Sequence, residues 1–535
     1  MSTALDAMLV GRVYETGRAL RRTTLRHVHL ADPPLGIAMW RLGGERFRAA
    51  AVAWGPLDGP FQLAVAGEPR NRDLYFAALA PFAADLSARI RRAGSLKTAR
   101  QRGRNTDFVP ADATQIVVPN RTTVAALGLL GRYLAYLSDR GGVAPDPALI
   151  EAGKHLRFYT RHARVPGQSL IVPLDRLVAD QWATLLSPFE QANLAALDAQ
   201  IEPPAGTHAF EAAVAAEALA RIGPEPTEDI DRLTDTLLAD FNAARNGNTN
   251  PAVVEPLIGP LRDHYRGLVE PVWQLMGRVV AREQQLPTAP SVLRRFEADR
   301  EAFGRHVDWV TGGGRYRTTD TPRQAAMTLR RLEDTLARYE AERAVEDPAC
   351  MIPHLLDGDA VRGVVASVAE HRVRGRVNMV RRALIALDTD EPVVLPAGKK
   401  MWWTATAGDH PWEVQAVHPQ GSGSRITFML CAAPTPARLP TAGDRITLST
   451  LHTRTDAYRL PLPQDPPWTH RPPVPPPPPQ PIDMGDPSRH RPRWTVRPCP
   501  TPGGMHDRHR HYRGRGKIRS RRRGRRGSGR GNDAG

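Results

Sequence analysis

The chain of 535 residues has few cysteines, and those it has are far apart. The three, Cys350, Cys431 and Cys499, do not suggest a disulfide framework, and no pair has the spacing of metal ligands. No run approaches 18 uninterrupted apolar residues, which argues against a membrane-spanning helix. The first residues place acidic groups within and beside a short apolar run, unlike a signal peptide. These absences predict a cytoplasmic protein with no membrane partner.

The common catalytic and cofactor-binding motifs are also missing. The sequence has no G-x-x-x-x-G-K-[ST] loop, no G-x-G-x-x-G turn and no G-x-S-x-G elbow. The carboxylates Glu297, Asp299 and Glu301 alternate with arginine at helical spacing, which is typical of a solvated, salt-bridged face. We therefore predict no cofactor and no catalytic residues, so that a binding protein fits the sequence better than an enzyme.

The sequence is rich in positive charge, which is unevenly distributed. The net charge is +17, and the 75 residues from Pro461 onward carry 17 Arg and Lys against 5 Asp, together with 17 of the 50 prolines. Residues 1–110 carry 17 basic against 9 acidic groups, whereas residues 111–350 carry 26 against 32. Basic regions on both sides of a mildly acidic middle predict a polyanionic partner that is met at particular places.

The residue pattern predicts an α+β multidomain fold. Residues 1–92 form an α/β region with a hairpin at Gly43-Gly44, residues 93–110 a basic linker, and residues 111–205 an α/β region that passes into helices. Residues 206–350 are mainly helical. Residues 351–460 hold about seven short β-rich runs, as a small β-barrel does, and residues 461–535 form a disordered Pro-rich and Arg-rich tail.

An antiparallel helical hairpin is predicted over residues 291–345. Two apolar stripes with three- and four-residue spacing define its helices: Leu293, Phe296, Phe303, Val307 and Val310, then Ala325, Leu329, Leu332, Leu336 and Tyr339. Thr321 and Pro322 start the second helix as N-cap and first helical residue. The tip of the hairpin carries Arg315, Tyr316 and Arg317, which could contact phosphate and stack a base, or could simply be a polar loop.

The predicted barrel offers a nucleic-acid interface. Arg372, Arg374 and Arg376 alternate, so on a strand they share one side. Lys399, Lys400, Trp402 and Trp403 add cations and aromatic rings to the same module. Barrels that bind single strands combine a basic groove with stacking platforms. The alternative is that one tryptophan faces the core and the arginines lie in a solvated loop.

The tail carries the densest positive charge of the chain. Arg521, Arg522, Arg523, Arg525 and Arg526 lie among glycines, so they can follow a phosphate backbone without reading bases. The stretch PPVPPPPPQP favours a polyproline II spacer or a ligand for aromatic grooves on protein partners. A solvated tail with little role is the equal alternative.

One short segment resembles a metal site in composition. In HVHLAD, His27 and His29 would share one face of a strand, and Asp32 could approach from the following turn. A polar edge strand or loop explains the same residues more simply.

Taken together, the sequence predicts a non-catalytic, nucleic-acid-associated accessory or adaptor protein that binds DNA or RNA backbone with little sequence specificity. One alternative is a protein-interaction scaffold that uses the helical hairpin and the Pro-rich stretch. A second is a metal-dependent hydrolase built on His27, His29 and Asp32.

Overall fold

The fold is that of a computed structural model, which describes residues 3–453 except 46–47, 103, 139–144, 220–221, 318, 376, 391–392 and 407–409. The predicted tail, with Arg521, Arg522, Arg523, Arg525 and Arg526, lies outside the described residues, and so does Arg376. Over the described residues the chain combines 13 α-helices, mixed sheets and a closed six-stranded barrel, which confirms the α+β class.

The N-terminal part is built around a five-stranded sheet. Its elements are α1 (Thr3–Thr16), β1 (Leu20–Arg21), β2 (Leu35–Arg41), β3 (Ala49–Pro56), β4 (Gln62–Val65), α2 (Arg72–Ser95), β5 (Lys97–Arg102), β6 (Asn105–Pro110), β7 (Ile116–Val118), α3 (Arg121–Ala135), α4 (Pro147–His162), β8 (Ile171–Pro173), α5 (Leu174–Gln181) and β9 (Trp182–Ala183). The strand order is β4-β3-β2-β7-β8, antiparallel from β4 to β2 and parallel from β2 to β8. The predicted hairpin at Gly43-Gly44 is confirmed as the β2–β3 connection.

Both faces of this sheet are covered, which explains why its strands read as nearly continuous apolar runs. Ile37 and Trp54 face one core, which α2, α3, α4 and a later helix complete. Ala38 and Trp40 face a second core on the opposite side. The two cores fix the sheet, and the sheet in turn fixes the helices that come after β7 and β8.

Helices dominate the middle of the chain. They are α6 (Leu194–Ile201), α7 (Ala209–Leu219), α8 (Glu228–Arg245), α9 (Pro251–Leu257), α10 (Gly259–Gln284), α11 (Pro290–Thr311), α12 (Pro322–Glu346) and α13 (Pro348–Leu356). The long helix α10 contributes Val269, Met276 and Val279 to the second core, where they are fully buried.

The stretch expected to be a basic linker is ordered differently. Helix α2 extends to Ser95, and residues 97–110 form the hairpin β5–β6 against α11. Ion pairs hold much of its charge: Lys97 lies 3.4 Å from Asp308, and Arg100 pairs with Glu301. Acidic groups on α11, distant in sequence, therefore neutralise two cations of a run that looks free in the sequence alone.

Helices α11 and α12 meet at one end of the predicted hairpin. Arg295 of α11 lies 2.6 Å from Glu342 of α12, and Ser291 donates to Glu346 at 2.7 Å. The predicted N-terminus of α12 is confirmed: Thr321 is the N-cap and Pro322 the first helical residue, and Thr321 forms a capping box with Gln324 in the first turn. The apolar stripe of α11 packs on the first core rather than on α12, and Leu329 of α12 stays 59% exposed.

The C-terminal part is a closed antiparallel barrel. Its strands are β10 (Ala360–Arg374), β11 (Met379–Thr389), β12 (Lys400–Trp403), β13 (Trp412–Gln420), β14 (Gly423–Leu430) and β15 (Arg445–Ser449), in the order β10-β11-β14-β13-β12-β15. The predicted barrel is thus confirmed, with six strands rather than about seven. The run EPVVLP forms no strand where it is described, at residues 393–396. Trp412, Ile426 and Phe428 fill the barrel's own core.

Among the described helices, none is both long enough and apolar enough to cross a membrane.

Candidate functional site

A cleft lined with arginine lies beside the paired helices α3 and α4. Its volume is about 840 Å³. Helix α3 contributes Arg121, Val124, Gly128 and Arg132. Each follows the one before it by three or four residues, so all four share one face of the helix. The arginines that line the cleft are Arg121, Arg132, Arg157, Arg161, Arg164, Arg176 and Arg317. The lining contains a single carboxylate, that of Asp320.

Glycines allow α3 and α4 to pack closely enough to form this cleft. A Cβ on Gly153 of α4 would lie 2.3 Å from the backbone nitrogen of Ala135. A Cβ on Gly131 of α3 would lie 2.7 Å from the Cβ of Leu156. Because neither contact leaves room for a side chain, the two helices touch through their backbones. The arginines on their outer faces consequently stand side by side.

Carboxylates neutralise only part of the cleft. Arg121 lies 2.9 Å from Asp175, Arg161 lies 3.1 Å from Asp320, and Arg176 lies 2.9 Å from Asp180. Within the part of the chain that the structure describes, no carboxylate lies within 4.0 Å of the remaining four guanidinium groups. These four belong to Arg132, Arg157, Arg164 and Arg317. The cleft is therefore a surface of net positive charge.

The buried carboxylate of Asp175 positions Arg121. It accepts from the backbone nitrogen of Arg121 at 3.0 Å, from Nε of Arg121 at 2.9 Å and from the backbone nitrogen of Arg176 at 2.7 Å. Burial raises the pKa of Asp175, against the opposing effect of Arg121. The residue ties the start of α3 to the start of α5, so that Arg121 and Arg176 face the same space.

The predicted hairpin tip contributes to this cleft in part. Arg317 lines the cleft, and its carbonyl accepts a hydrogen bond from the Tyr136 hydroxyl at 2.8 Å. Tyr316 is packed inward, with the Arg157 guanidinium 4.5 Å and the Trp309 ring 4.7 Å from its own ring. Burial raises the pKa of Tyr316 to about 12. Arg315 is exposed, so the tip supplies cations, whereas its tyrosine ring is already engaged.

The barrel residues expected to act together are separated. Arg372 and Arg374 lie on the far part of β10, opposite Arg381 and Met379. Trp402 pairs with Ser449 of β15, and Ser449 pairs with Ala360 at the start of β10. Twelve residues of strand separate Ala360 from Arg372, about 40 Å at the usual rise.

The cations and rings in and just before β12 have local partners. Trp402 lies 4.7 Å from the ring of His452, and Trp403 packs, half-buried, against the barrel core. Lys399 donates to the carbonyl of Gly358 at 3.2 Å. Lys400 stands opposite Glu413 in the β12–β13 register. The structure therefore does not bring the lysines and tryptophans to the arginines of β10.

The segment HVHLAD does not form a strand with two histidines on one face. His27 is buried, and its Nε2 lies 3.4 Å from Asp347 and 4.0 Å from the sulfur of Cys350. His29 stacks on Phe296 at 3.9 Å, and burial, together with Arg26, lowers the pKa of His29. Among the described residues, His27, Asp347 and Cys350 are the one group of three metal-ligand types within 4.8 Å.

That group is built as a helix cap. Asp347 accepts from the backbone nitrogens of Thr24 and Leu25 and from that of Ala349 in the first turn of α13. Burial opposes its charge, but these bonds and His27 outweigh burial and hold the pKa of Asp347 well below its ordinary value. The guanidinium of Arg343 lies 3.8 Å from the sulfur of Cys350, a position that disfavours a bound cation.

The arginines of the cleft come from four separate stretches of sequence, which is why no local pattern predicts it. A signal was nevertheless present: Arg157 and Arg161 follow helical spacing on α4, with Arg164 just beyond its end, and Arg121 and Arg132 follow it on α3. Glycines at 128, 131 and 153 mark where the two helices approach. What the sequence could not show is that both arginine faces lie on the same side of the pair.

Comparison of the chain with protein-family models, with curated proteins and with solved structures finds no match. Functional inference therefore depends on the geometry and charge of the chain itself.

Proposed function

We propose that this chain is a non-catalytic accessory or adaptor protein that binds the phosphate backbone of DNA or RNA, and that the arginine cleft is a principal contact surface. The observation that carries the proposal is the set of seven arginines in one cleft, four of which have no carboxylate partner among the described residues. Arginine is suited to phosphate because its planar fork offers paired donors. We also propose that the protein is cytoplasmic, as the sequence predicts.

The chemistry of the lining favours backbone contacts over base recognition. Between the arginines the surface consists mainly of small or aliphatic groups, such as Ala125, Gly128 and Ala163; the Thr160 hydroxyl is already used in a hydrogen bond to the carbonyl of Leu156. The lining given by the described residues includes no aromatic side chain on which a base could stack. We therefore expect binding to depend on salt and to vary little with sequence.

The size of the cleft fits a stretch of polymer. Arg121 and Arg132 are eleven residues apart on α3, which is about 16 Å along the helix. A duplex presents about five phosphates of one strand over that length. The four arginines without a carboxylate partner in the described part of the chain are thus commensurate with a short run of consecutive phosphates, although Arg157 already donates to the Tyr136 hydroxyl.

A salt titration of the full-length chain tests the proposal. Binding of a 30-base-pair duplex is measured by fluorescence anisotropy between 50 and 200 mM salt, for the unaltered chain and for Arg132→Ala/Arg164→Ala. Each lost phosphate contact reduces the slope of log affinity against log salt by about 0.9. The double variant should therefore lose about 1.8 from the slope, so that its affinity ratio between the two salt concentrations is about 12-fold smaller.

Arg12→Ala/Arg232→Ala is the matched control, because it removes two arginines from exposed helix surfaces whose side chains are 66% and 74% accessible. The control should keep the slope of the unaltered chain. Equal slopes for the cleft variant and the control would refute the role of the cleft.

A second candidate function, the protein-interaction scaffold, is favoured by helix α12. Its residues Met327, Leu329 and Leu336 are 47%, 59% and 44% exposed, although they are apolar. Nuclease treatment distinguishes the two proposals. Docking of a protein on α12 would survive it, and would also survive the substitutions Arg132→Ala/Arg164→Ala.

A further inference from the structure

A two-stranded ribbon projects from the barrel. Strands β10 and β11 pair along their length, from Val364 opposite Asp388 to Arg374 opposite Met379. Barrel neighbours accompany them only part of the way, because the pairing with β15 ends at Val364 and the pairing with β14 ends at Leu384. Beyond these points, in the described part of the chain, residues 370–374 and 379–383 pair with each other alone. The free ribbon is about 17 Å long.

One face of the ribbon carries Arg372, Arg374 and Arg381, whereas Arg382 lies on the other face, opposite His371. A register shift between Val365 and Ser367 changes which residues of β10 face the barrel interior, so that Val368 stands opposite the buried Ile385. Continuing outward by twos, Arg372 stands directly opposite Arg381, and Arg374 stands opposite Met379. The charged face of the ribbon is thus the extension of the barrel's core-facing side.

This face has more positive charge than its neighbours neutralise. Among its described residues, three are arginines, Arg372, Arg374 and Arg381, and one is a glutamate. That glutamate, Glu370, lies 3.6 Å from Arg381, and both are more than half exposed. Like charges directly opposite each other in a β pair are destabilising, so the pair Arg372 and Arg381 costs stability in the free protein. A bound polyanion would remove that cost.

The outer end of the ribbon is apolar. Val377 in the turn is 86% exposed and Met379 at the start of β11 is 59% exposed. The turn is closed by a hydrogen bond from the nitrogen of Gly375 to the carbonyl of Asn378, 2.9 Å long. The ribbon therefore ends in two apolar side chains, with arginines behind them on the strands.

We infer that this ribbon enters a groove of double-stranded nucleic acid, with Arg372, Arg374 and Arg381 on the phosphates and Val377 and Met379 against the floor of the groove. The inference deepens the proposed function, because it takes nucleic acid as the partner and names the duplex form. The major groove of B-DNA, about 12 Å wide, admits a two-stranded ribbon. In that groove, apolar side chains contact the methyl group of thymine.

The composition of the ribbon favours a duplex over a single strand as its partner. Residues 368–383 contain no phenylalanine, tyrosine or tryptophan, and the one histidine, His371, lies on the face opposite Arg372 and Arg381, so the arginine face has no aromatic ring on which unpaired bases could stack. Arginine and an apolar tip instead match the walls and floor of a groove. The duplex is accordingly the partner that the ribbon fits.

The test uses the full-length chain with a 20-base-pair duplex and with one of its strands alone. Arg372→Ala/Arg381→Ala removes the opposed charges, and Val377→Ser/Met379→Ser removes the apolar tip. Arg362→Ala/Arg445→Ala is the control, since both arginines are exposed on the barrel at β10 and β15, away from the ribbon. The cleft variant Arg132→Ala/Arg164→Ala is measured in parallel.

The charge variant should bind the duplex between 10- and 100-fold more weakly at 100 mM salt, because two phosphate contacts are lost. It should fold normally, since it relieves a repulsion. The tip variant should weaken duplex binding several-fold while keeping the salt slope, because its contacts are not ionic. Neither should change the affinity for the single strand by more than about threefold.

Other outcomes overturn the inference in distinguishable ways. If both ribbon variants match the barrel control while the cleft variant loses salt slope, the ribbon inference is wrong and the proposed function stands. If the ribbon variants weaken duplex and single strand equally, the groove is the wrong partner. If neither ribbon nor cleft variants differ from their controls, both the inference and the proposed function fail.

Discussion

The same substitution, glycine to alanine in the middle of a helix, should have opposite effects on stability in α4 and in α10. In an open helix position, alanine is favoured over glycine by about 1 kcal/mol, because glycine loses more backbone entropy on folding. At Gly267 of α10 a new Cβ meets nothing within 4 Å, so Gly267→Ala should stabilise the protein by about that amount.

At Gly153 of α4 the new Cβ would lie 2.3 Å from the nitrogen of Ala135 and 2.7 Å from the carbonyl carbon of Leu134. Backbone atoms cannot rotate aside as a side chain does, so α3 has to move. Overpacking of this kind costs about 1–3 kcal/mol or more, which exceeds the gain in helix propensity. Gly153→Ala should therefore lower the free energy of unfolding by about 2 kcal/mol, and the two variants should differ by about 3 kcal/mol.

Urea unfolding monitored by tryptophan fluorescence measures the difference, and the salt titration of duplex binding adds a second readout. Because the clash pushes α3 from α4, Gly153→Ala should also reduce the salt slope of duplex binding although it removes no charge. If both variants shift the unfolding midpoint in the same direction by the same amount, close backbone packing of α3 and α4 is refuted.

Two further predictions concern buried charge. Burial beside His155 lowers the pKa of His306 to about 2, so that below about pH 6.5 the unfolded chain binds a proton that the native chain excludes. The free energy of unfolding should therefore fall by up to about 1.4 kcal/mol per pH unit for this group. His306→Gln should flatten the pH dependence of the unfolding midpoint between about pH 6.5 and 5. Glu342→Gln leaves the buried Arg295 without the carboxylate that lies 2.6 Å away, and it should lower the free energy of unfolding by about 3–5 kcal/mol. Arg295→Met/Glu342→Leu should lower it by less in the same urea experiment. An equal or larger loss for the double variant would contradict this prediction.

Local signals in the sequence were sufficient for much of the fold. The Gly43-Gly44 hairpin, the N-cap at Thr321 and the short β runs of the barrel depend on neighbouring residues, and the structure confirms them except for the run EPVVLP. The linker prediction missed the hairpin β5–β6 because the partners of that stretch, such as Asp308 and Glu301, are some 200 residues away. Charge in a sequence does not reveal which charges will be paired.

The candidate sites show the same limit more strongly. Alternation placed Arg372 and Arg374 on one side of β10, as the register has them, but no local pattern shows that Arg381 stands opposite or that Trp402 lies far along the barrel. The cleft could not be predicted from the sequence, because Arg132, Arg164 and Arg317 come together only through the packing of α3 on α4 and the return of the chain before α12.

Helix α12 acts as a spacer of fixed length. Just before its start, Asp320 is anchored to Arg161 at the cleft; at its end, Glu342 is held by Arg295, and Asp347 caps the short helix that leads into β10. Its 25 residues extend about 37 Å. Each residue inserted into α12 would add about 1.5 Å and rotate α13 and the barrel by about 100°. If one polymer contacts both the cleft and the barrel, as proposed above, the length of this helix contributes to the distance between its two contacts.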